Sequence, residues 1–375
     1  MSQQKSWSRR EFVQLMGAAT LGSQSAFSSS TSFAHSGNAA FAYVGCAGDK
    51  TDAIEVFAIR DGRWTTIQSV ESKRPVSLAL SADNRFLYAA NEVSEYNGLP
   101  TGTVEAFAVA GDGKLTRLNR QALSLSATMP RHLAVSPDGK SLVVTAQGGS
   151  AYNVMPIAEN GSVGRATGIF KETGTTEKAA QPYMAVFDSV GRAVSADRGT
   201  GRLNILGMSD DGLAAHAREI VENGSGPLHI ALHPQGRALY VAHEDSLQRY
   251  GYDFDAGRIL DLRQHLPGAG VADGSNVLAI HSSGELMFSC NGDRGLTAWQ
   301  MNSKTGALRL AGRQTEELGR LHAIEISGDG SALLAINHER GLVLGAMIDH
   351  ATGRLTDTRT LAHVDSPKSL AVIYS

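Results

Sequence analysis

The 375-residue chain is poor in several things at once, and each shortage removes a class of protein. It has two cysteines, Cys46 and Cys290, too few for a disulfide scaffold or a four-cysteine zinc site, so both are read as small buried hydrophobes. Net charge is only −3 and no basic stretch stands out, which argues against an electrostatic nucleic-acid binder. No apolar run approaches the roughly 20 residues of a membrane span. There is no phosphate-cradling glycine loop and no Gly-x-Ser-x-Gly elbow. Nor does any His-x-His or His-x-x-x-His pair stand with acidic partners, so neither a metal nor any other cofactor is expected. After residue 40 no helical periodicity persists beyond about ten residues.

What is present begins with the N-terminus. Ser8-Arg9-Arg10-Glu11-Phe12-Val13 precedes a short, small-residue apolar run, Leu15 to Gly22, and Ser32-Phe33-Ala34 forms a small-x-Ala cleavage site. This order of an arginine pair, apolar run and cleavage site resembles a bacterial twin-arginine export signal. Residues 1–34 are therefore expected to be a signal peptide read by the twin-arginine machinery, leaving a periplasmic protein without a membrane anchor. Residues 41–375 remain as a single domain.

That domain repeats itself. "RPVSLALSADNRFLYAANE" (74–92), "PRHLAVSPDGKSLVVTAQGG" (130–149), "QPYMAVFDSVGRAVSADRG" (181–199), "GPLHIALHPQGRALYVAHE" (226–244), "GSNVLAIHSSGELMFSCNGDRG" (274–295) and "LHAIEISGDGSALLAINHE" (321–339) share one pattern: an alternating strand, a turn with Gly or Asn, and a second apolar strand. The turn residues Asn84, Gly139, Gly191, Gly236, Gly284 and Gly330 recur every 45 to 55 residues or so. Short alternating strands at that period, each pair followed by a third and fourth strand such as Thr103–Val109 and its return after Gly111-Asp112-Gly113, predict an all-β, seven-bladed β-propeller of four-stranded blades. Residues 41–59 offer a second and third strand with no first strand before them. The terminal "SLAVIYS" is expected to supply it, closing the ring by exchange between the termini and removing an exposed edge.

In such a ring the turns lie on one face, and the residues flanking each strand pair converge on the other. Those flanking residues include Arg74, Arg131, His132, Tyr183, Leu228, His229, Arg320 and His322 before the first strand. After the second come Glu92, Asp197, Arg198, His243, Glu244, His338 and Glu339. A polar ring carrying five of the twelve histidines at the mouth of a concavity is the natural candidate site. His233 and His281 fall on the turn side and are read as structural.

At these repeats the chain resembles the seven-bladed propeller lactonases of the bacterial 6-phosphogluconolactonase type, related to the carboxymuconate-lactonising cyclases. The stretches that carry the resemblance are "RFLYAANEVSEYNGLPTGTVEAFAV", "PRHLAVSPDGKSLVVTAQGGSAYNVMPI" and "GPLHIALHPQGRALYVAHE". Pro227, His229 and Glu244 agree with the family pattern, and His132 and Asp197 stand where it places His and Asp. Leu228 replaces an arginine, Tyr183 a histidine, and His322 an arginine.

The resemblance implies hydrolysis of a sugar lactone, in monomeric or dimeric form. Water attacks the ester carbonyl, Glu244 is expected as base, His229 and His132 move protons, and Arg131 or Arg198 meets the oxyanion. Tyr183, Asp197, Arg198, Arg320 and His322 are expected to bind substrate beside Arg131. An exported enzyme would meet glucono-1,5-lactone rather than its 6-phospho form. The alternatives are 6-phosphogluconolactonase activity, a non-catalytic ligand- or protein-binding propeller favoured by Leu228 and Tyr183, and a muconate-type cycloisomerase.

Overall fold

A computed structural model describes residues 40–48, 52–209, 212–220, 226–271, 274, 277–292, 295–314 and 318–374; the expected signal peptide lies outside them. The described residues form seven four-stranded antiparallel sheets, with one single-turn helix at Gly148–Ser150. Blades 2 to 7 each take four consecutive strands. Their first strands are Pro75–Leu80, Pro130–Val135, Pro182–Phe187, His229–Leu232, Leu278–Ile280 and Ala323–Ile326. Blade 1 combines Ala40–Ala47, Asp52–Arg60 and Arg63–Glu71 with the C-terminal strand Pro367–Ile373. That strand runs antiparallel to the first from Phe41↔Ile373 to Cys46↔Pro367. Each of these seven strands touches the next around a closed ring, so they line a common axis.

The strand periodicity explains the layering. Second strands such as Phe86–Asn91, Ser141–Ala146 and Ala332–Asn337 are apolar on both faces and nearly wholly buried, because a neighbouring blade covers each side. Outer strands such as Arg63–Glu71 keep one face in water. Between blades the contacts are mainly apolar and are pinned by tyrosines: Tyr43 donates to the Gly113 carbonyl at 3.0 Å and Tyr240 to that of Gly306 at 2.7 Å. Losing either hydroxyl costs about 1 kcal/mol. Cys46 and Cys290 are buried free thiols, as their use as small hydrophobes requires.

The turn joining first and second strands repeats in conformation. Asn84, Gly139, Gly191, Gly236, Gly284 and Gly330 all adopt positive φ, between 57° and 88°, the left-handed conformation that Gly and Asn tolerate best. A side-chain acceptor at the turn entrance takes backbone N–H groups: Ser81, Ser136 and Ser327 hydroxyls, the Asp188 carboxylate, and Nδ1 of His233 and His281. His233 and His281 are thus turn residues.

Candidate active site

With the turns fixed on one face, the chain enters each first strand and leaves each second strand at the other. There, near the axis, a cavity of about 280 Å³ opens. Its wall includes Glu92 from the end of blade 2, Arg131 and His132 from blade 3, Tyr183 from blade 4 and His229 from blade 5. Blade 7 adds Arg320, His322, His338 and Glu339, and the C-terminal strand adds Lys368.

One side is a connected polar network. The Glu92 carboxylate, only 8% exposed, lies between two guanidinium groups, Arg131 at 2.6 Å and Arg74 at 2.7 Å. Arg131 also donates from Nη2 to the Tyr183 hydroxyl at 2.9 Å, its guanidinium carbon 5.0 Å from the centre of the Tyr183 ring. Held by a carboxylate and a phenol, Arg131 presents a fixed fork of donors instead of a free cation. His229 closes this side. Its Nε2 lies 2.7 Å from the Gly274 carbonyl, an acceptor only, so Nε2 carries the proton; its ring meets Tyr183 edge-on at 5.9 Å.

His132 sits beside this network, half-buried. Burial, then the neighbouring His229, pushes its pKa down to about 3, so the imidazole is neutral across the ordinary pH range. Its Nδ1 is shut off from solvent and hydrogen-bonds to no protein atom among the described residues. On the other side, His322 and His338 stack obliquely, ring centres 5.5 Å apart, and His338 Nδ1 donates to the Pro367 carbonyl at 3.1 Å. Burial, followed by the Lys368 charge, lowers the His338 pKa. Arg320 pairs with Glu339 at 3.2 Å.

The cavity therefore gathers His132, His229, Arg131, Tyr183, Arg320 and His322 of the residues expected from sequence. Three others lie elsewhere. Asp197 is fully buried outside the cavity lining, where its Oδ1 accepts the Thr200 amide at 2.7 Å and the Thr200 hydroxyl at 2.8 Å and so shapes the turn after its strand. Glu244, two residues past the end of its strand, is 52% exposed and forms an ion pair with Arg198 at 2.6 Å. Arg198 does not line the cavity, but its guanidinium lies over the Tyr183 ring at 5.7 Å. Leu228 is packed into the core and does not line this cavity.

Four contributors escaped assignment from sequence. Glu92, His338 and Glu339 stand at ring positions but signal no role until their partners are seen. Lys368 lies in the truncated last repeat, and only the ring closure brings it to the mouth. Among the described residues, no three His, Cys, Asp or Glu side chains converge as a metal site. His229 and His233, four apart, sit at opposite ends of one strand, one in the cavity wall and one at a turn.

Comparison with known proteins places this architecture. Residues 41–372 match the family described as "Lactonase, 7-bladed beta-propeller". The 6-phosphogluconolactonase of Pectobacterium atrosepticum is 26% identical over 322 residues, covering 83% of this chain and 92% of its own. That of Bacillus subtilis is 24% identical over 294 residues, 75% of this chain and 82% of its own. Among solved structures, the periplasmic gluconolactonase of Pseudomonas aeruginosa superposes with a TM-score of 0.78 at 18% identity, over 90% of this chain and 99% of its own. At that identity the likeness speaks for the fold alone. With a family match spanning the whole ring, the chain belongs to the seven-bladed β-propeller lactonase family.

Proposed function

We propose that this protein hydrolyses an unphosphorylated sugar lactone, such as glucono-1,5-lactone, in the periplasm. The observation that carries the reading is the Arg131–Tyr183 donor pair standing beside the neutral imidazole of His132 in one cavity. Ester hydrolysis needs a base for the attacking water and donors for the oxygen that gains charge. His132 takes the water proton, Arg131 and Tyr183 meet the oxyanion, and His132 returns the proton to the departing ring oxygen. Glu92 acts through Arg131 by holding its fork in place. Sugar lactones are activated esters, so non-covalent catalysis of this kind suffices.

The charge balance supports a substrate without phosphate. Three cations line the cavity, Arg131, Arg320 and Lys368; both arginines already have a carboxylate partner, Glu92 and Glu339, with which a dianionic phosphoryl group would have to compete. The twin-arginine pattern at residues 8–13 supports the compartment, since phosphorylated sugar lactones arise in the cytosol.

The test is acid release in a pH-stat, with glucono-1,5-lactone and its 6-phospho form offered separately to wild type and His132→Ala. Wild type is expected to outpace buffer with the unphosphorylated substrate preferred, and His132→Ala to lose about 100-fold or more in kcat. Equal rates for wild type and buffer on both substrates contradict the activity. A preference for the 6-phospho form contradicts the substrate assignment and the compartment inferred with it.

A further inference from the structure

Below the mouth, the axis widens into a second cavity of about 200 Å³, walled by first strands of blades 1, 2, 3, 4 and 7. It shares His132 and Met184 with the outer cavity, so His132 is part of the partition between them. The rest of its wall is Ser77, Leu78, Ala323, Ile324, Ser369, Leu370 and a single carboxyl group, Glu325. No arginine or lysine lines it among the described residues. The Ser77 hydroxyl takes the Leu133 amide at 3.3 Å and the Ser369 hydroxyl donates to the Pro75 carbonyl at 3.0 Å, so both are anchored in the wall. A space of this size, with an imidazole, two hydroxyls and a carboxyl group among its apolar wall residues, has room for several waters.

These observations bear on a difficulty in the mechanism. An imidazole whose conjugate acid is as acidic as that of His132 is a poor final resting place for a proton at neutral pH. Its Nδ1, buried and without a protein partner, needs something to hydrogen-bond with. Glu325 lies on the far wall of the cavity that His132 closes.

We propose that water in the axial cavity links His132 Nδ1 to Glu325, and that Glu325 is the acceptor for the proton drawn from the attacking water. The inference rests on the lactonase reading above. As the water oxygen bonds to the lactone carbonyl carbon, its proton passes to His132 Nε2. The Nδ1 proton passes to the bridging water, which gives a proton to the Glu325 carboxylate. When the ring C–O bond breaks, the same route runs backward and the proton ends on the departing oxygen. The product is the open hydroxy acid, whose carboxyl proton leaves to solvent through the mouth. Glu325 thus acts through His132 and is a positioning and relay residue.

The electrostatics agree. Burial pushes the Glu325 carboxyl up to about 8, opposed by the Tyr374 hydroxyl, which favours the ionised form. Tyr374, just after the C-terminal strand, acts on Glu325; Asp329 acts on Tyr374, and His132 lines the same cavity as Glu325. A carboxylate with that proton affinity is matched to its task at mildly alkaline pH.

The experiment is the pH dependence of kcat and KM on glucono-1,5-lactone for wild type, Glu325→Gln and Tyr374→Phe. In wild type, kcat is expected to rise with pH to a midpoint near 8. Glu325→Gln is expected to lose that rise and at least about tenfold in kcat above the midpoint, with KM unchanged. Tyr374→Phe removes a group that favours ionisation, so its midpoint moves upward; this arm stands even where Glu325→Gln fails to fold. A purely structural Glu325 would change the melting temperature and leave the profile in place. A wild-type profile in Glu325→Gln, or an unmoved midpoint in Tyr374→Phe, overturns the relay while leaving the lactonase reading intact. Absence of turnover by wild type overturns both.

Discussion

The two faces of the ring carry similar residue types and use them differently. On the turn face, six blades meet one problem, a chain reversal that leaves backbone N–H groups to satisfy, and meet it with interchangeable acceptors. Ser136, Asp188 and His281 occupy corresponding positions and each accepts an N–H from its own turn. On the mouth face no two blades contribute the same set: Glu92, Arg131 with His132, Tyr183, His229, and Arg320 with His322 come from blades 2, 3, 4, 5 and 7. The turn answers to backbone geometry, which the propeller repeats. The mouth answers to a substrate that has no sevenfold symmetry. A histidine is a hydrogen-bond acceptor on one face and, in the proposed reaction, a proton carrier on the other, and the repeat position distinguishes them.

This contrast can be broken by substitution. The largest effect is expected at the mouth: Arg131→Ala should lower kcat/KM at least about 100-fold, as loss of an oxyanion donor does, with little change in melting temperature because Glu92 keeps Arg74. Arg131→Lys should not restore the rate, since an ammonium cannot serve Glu92 and Tyr183 together as the fork does. Next comes the turn face. Asp188 is buried, accepts from the Val190 and Arg192 amides, pairs with Arg192 at 2.7 Å and accepts from Tyr252 at 2.8 Å. Asp188→Ala should cost about 3 kcal/mol in denaturant unfolding while leaving kcat at the wild-type value.

The smallest effect concerns acid. Burial lowers the pKa of His233, and burial followed by His350 lowers that of His281. Below the unfolded value of about 6.5 the unfolded chain takes up protons that the folded turns refuse. The stability these groups contribute is therefore complete above that pH and is lost as pH falls. His233→Ser and His281→Ser, which install the acceptor other blades use, should make the melting temperature fall less steeply on acidification. An unchanged slope would mean that both imidazoles already carry protons in the folded turns.

The sequence showed most of the fold, and about half of the site, for one reason. A residue's place in the repeat reports which end of which strand it occupies. That places His132, His229 and Tyr183 at the mouth and His233 at a turn. It does not report which way the side chain turns or what it pairs with. Glu244 holds the same repeat position as Glu92 and Asp197 the one before it, yet Asp197 folds back to cap Thr200, Glu244 turns out to Arg198, and of the three only Glu92 lies in the cavity wall. Glu325 was beyond reach, because mid-strand residues of an alternating pattern carry no sign that the axis widens beside them.

The most direct measurement is kcat/KM on glucono-1,5-lactone for wild type, Arg131→Ala and Asp188→Ala, taken side by side at a temperature where all three are folded. The account predicts that Arg131→Ala collapses toward the buffer rate while Asp188→Ala matches wild type. A wild-type rate in Arg131→Ala, or a wild type no faster than buffer, would contradict it.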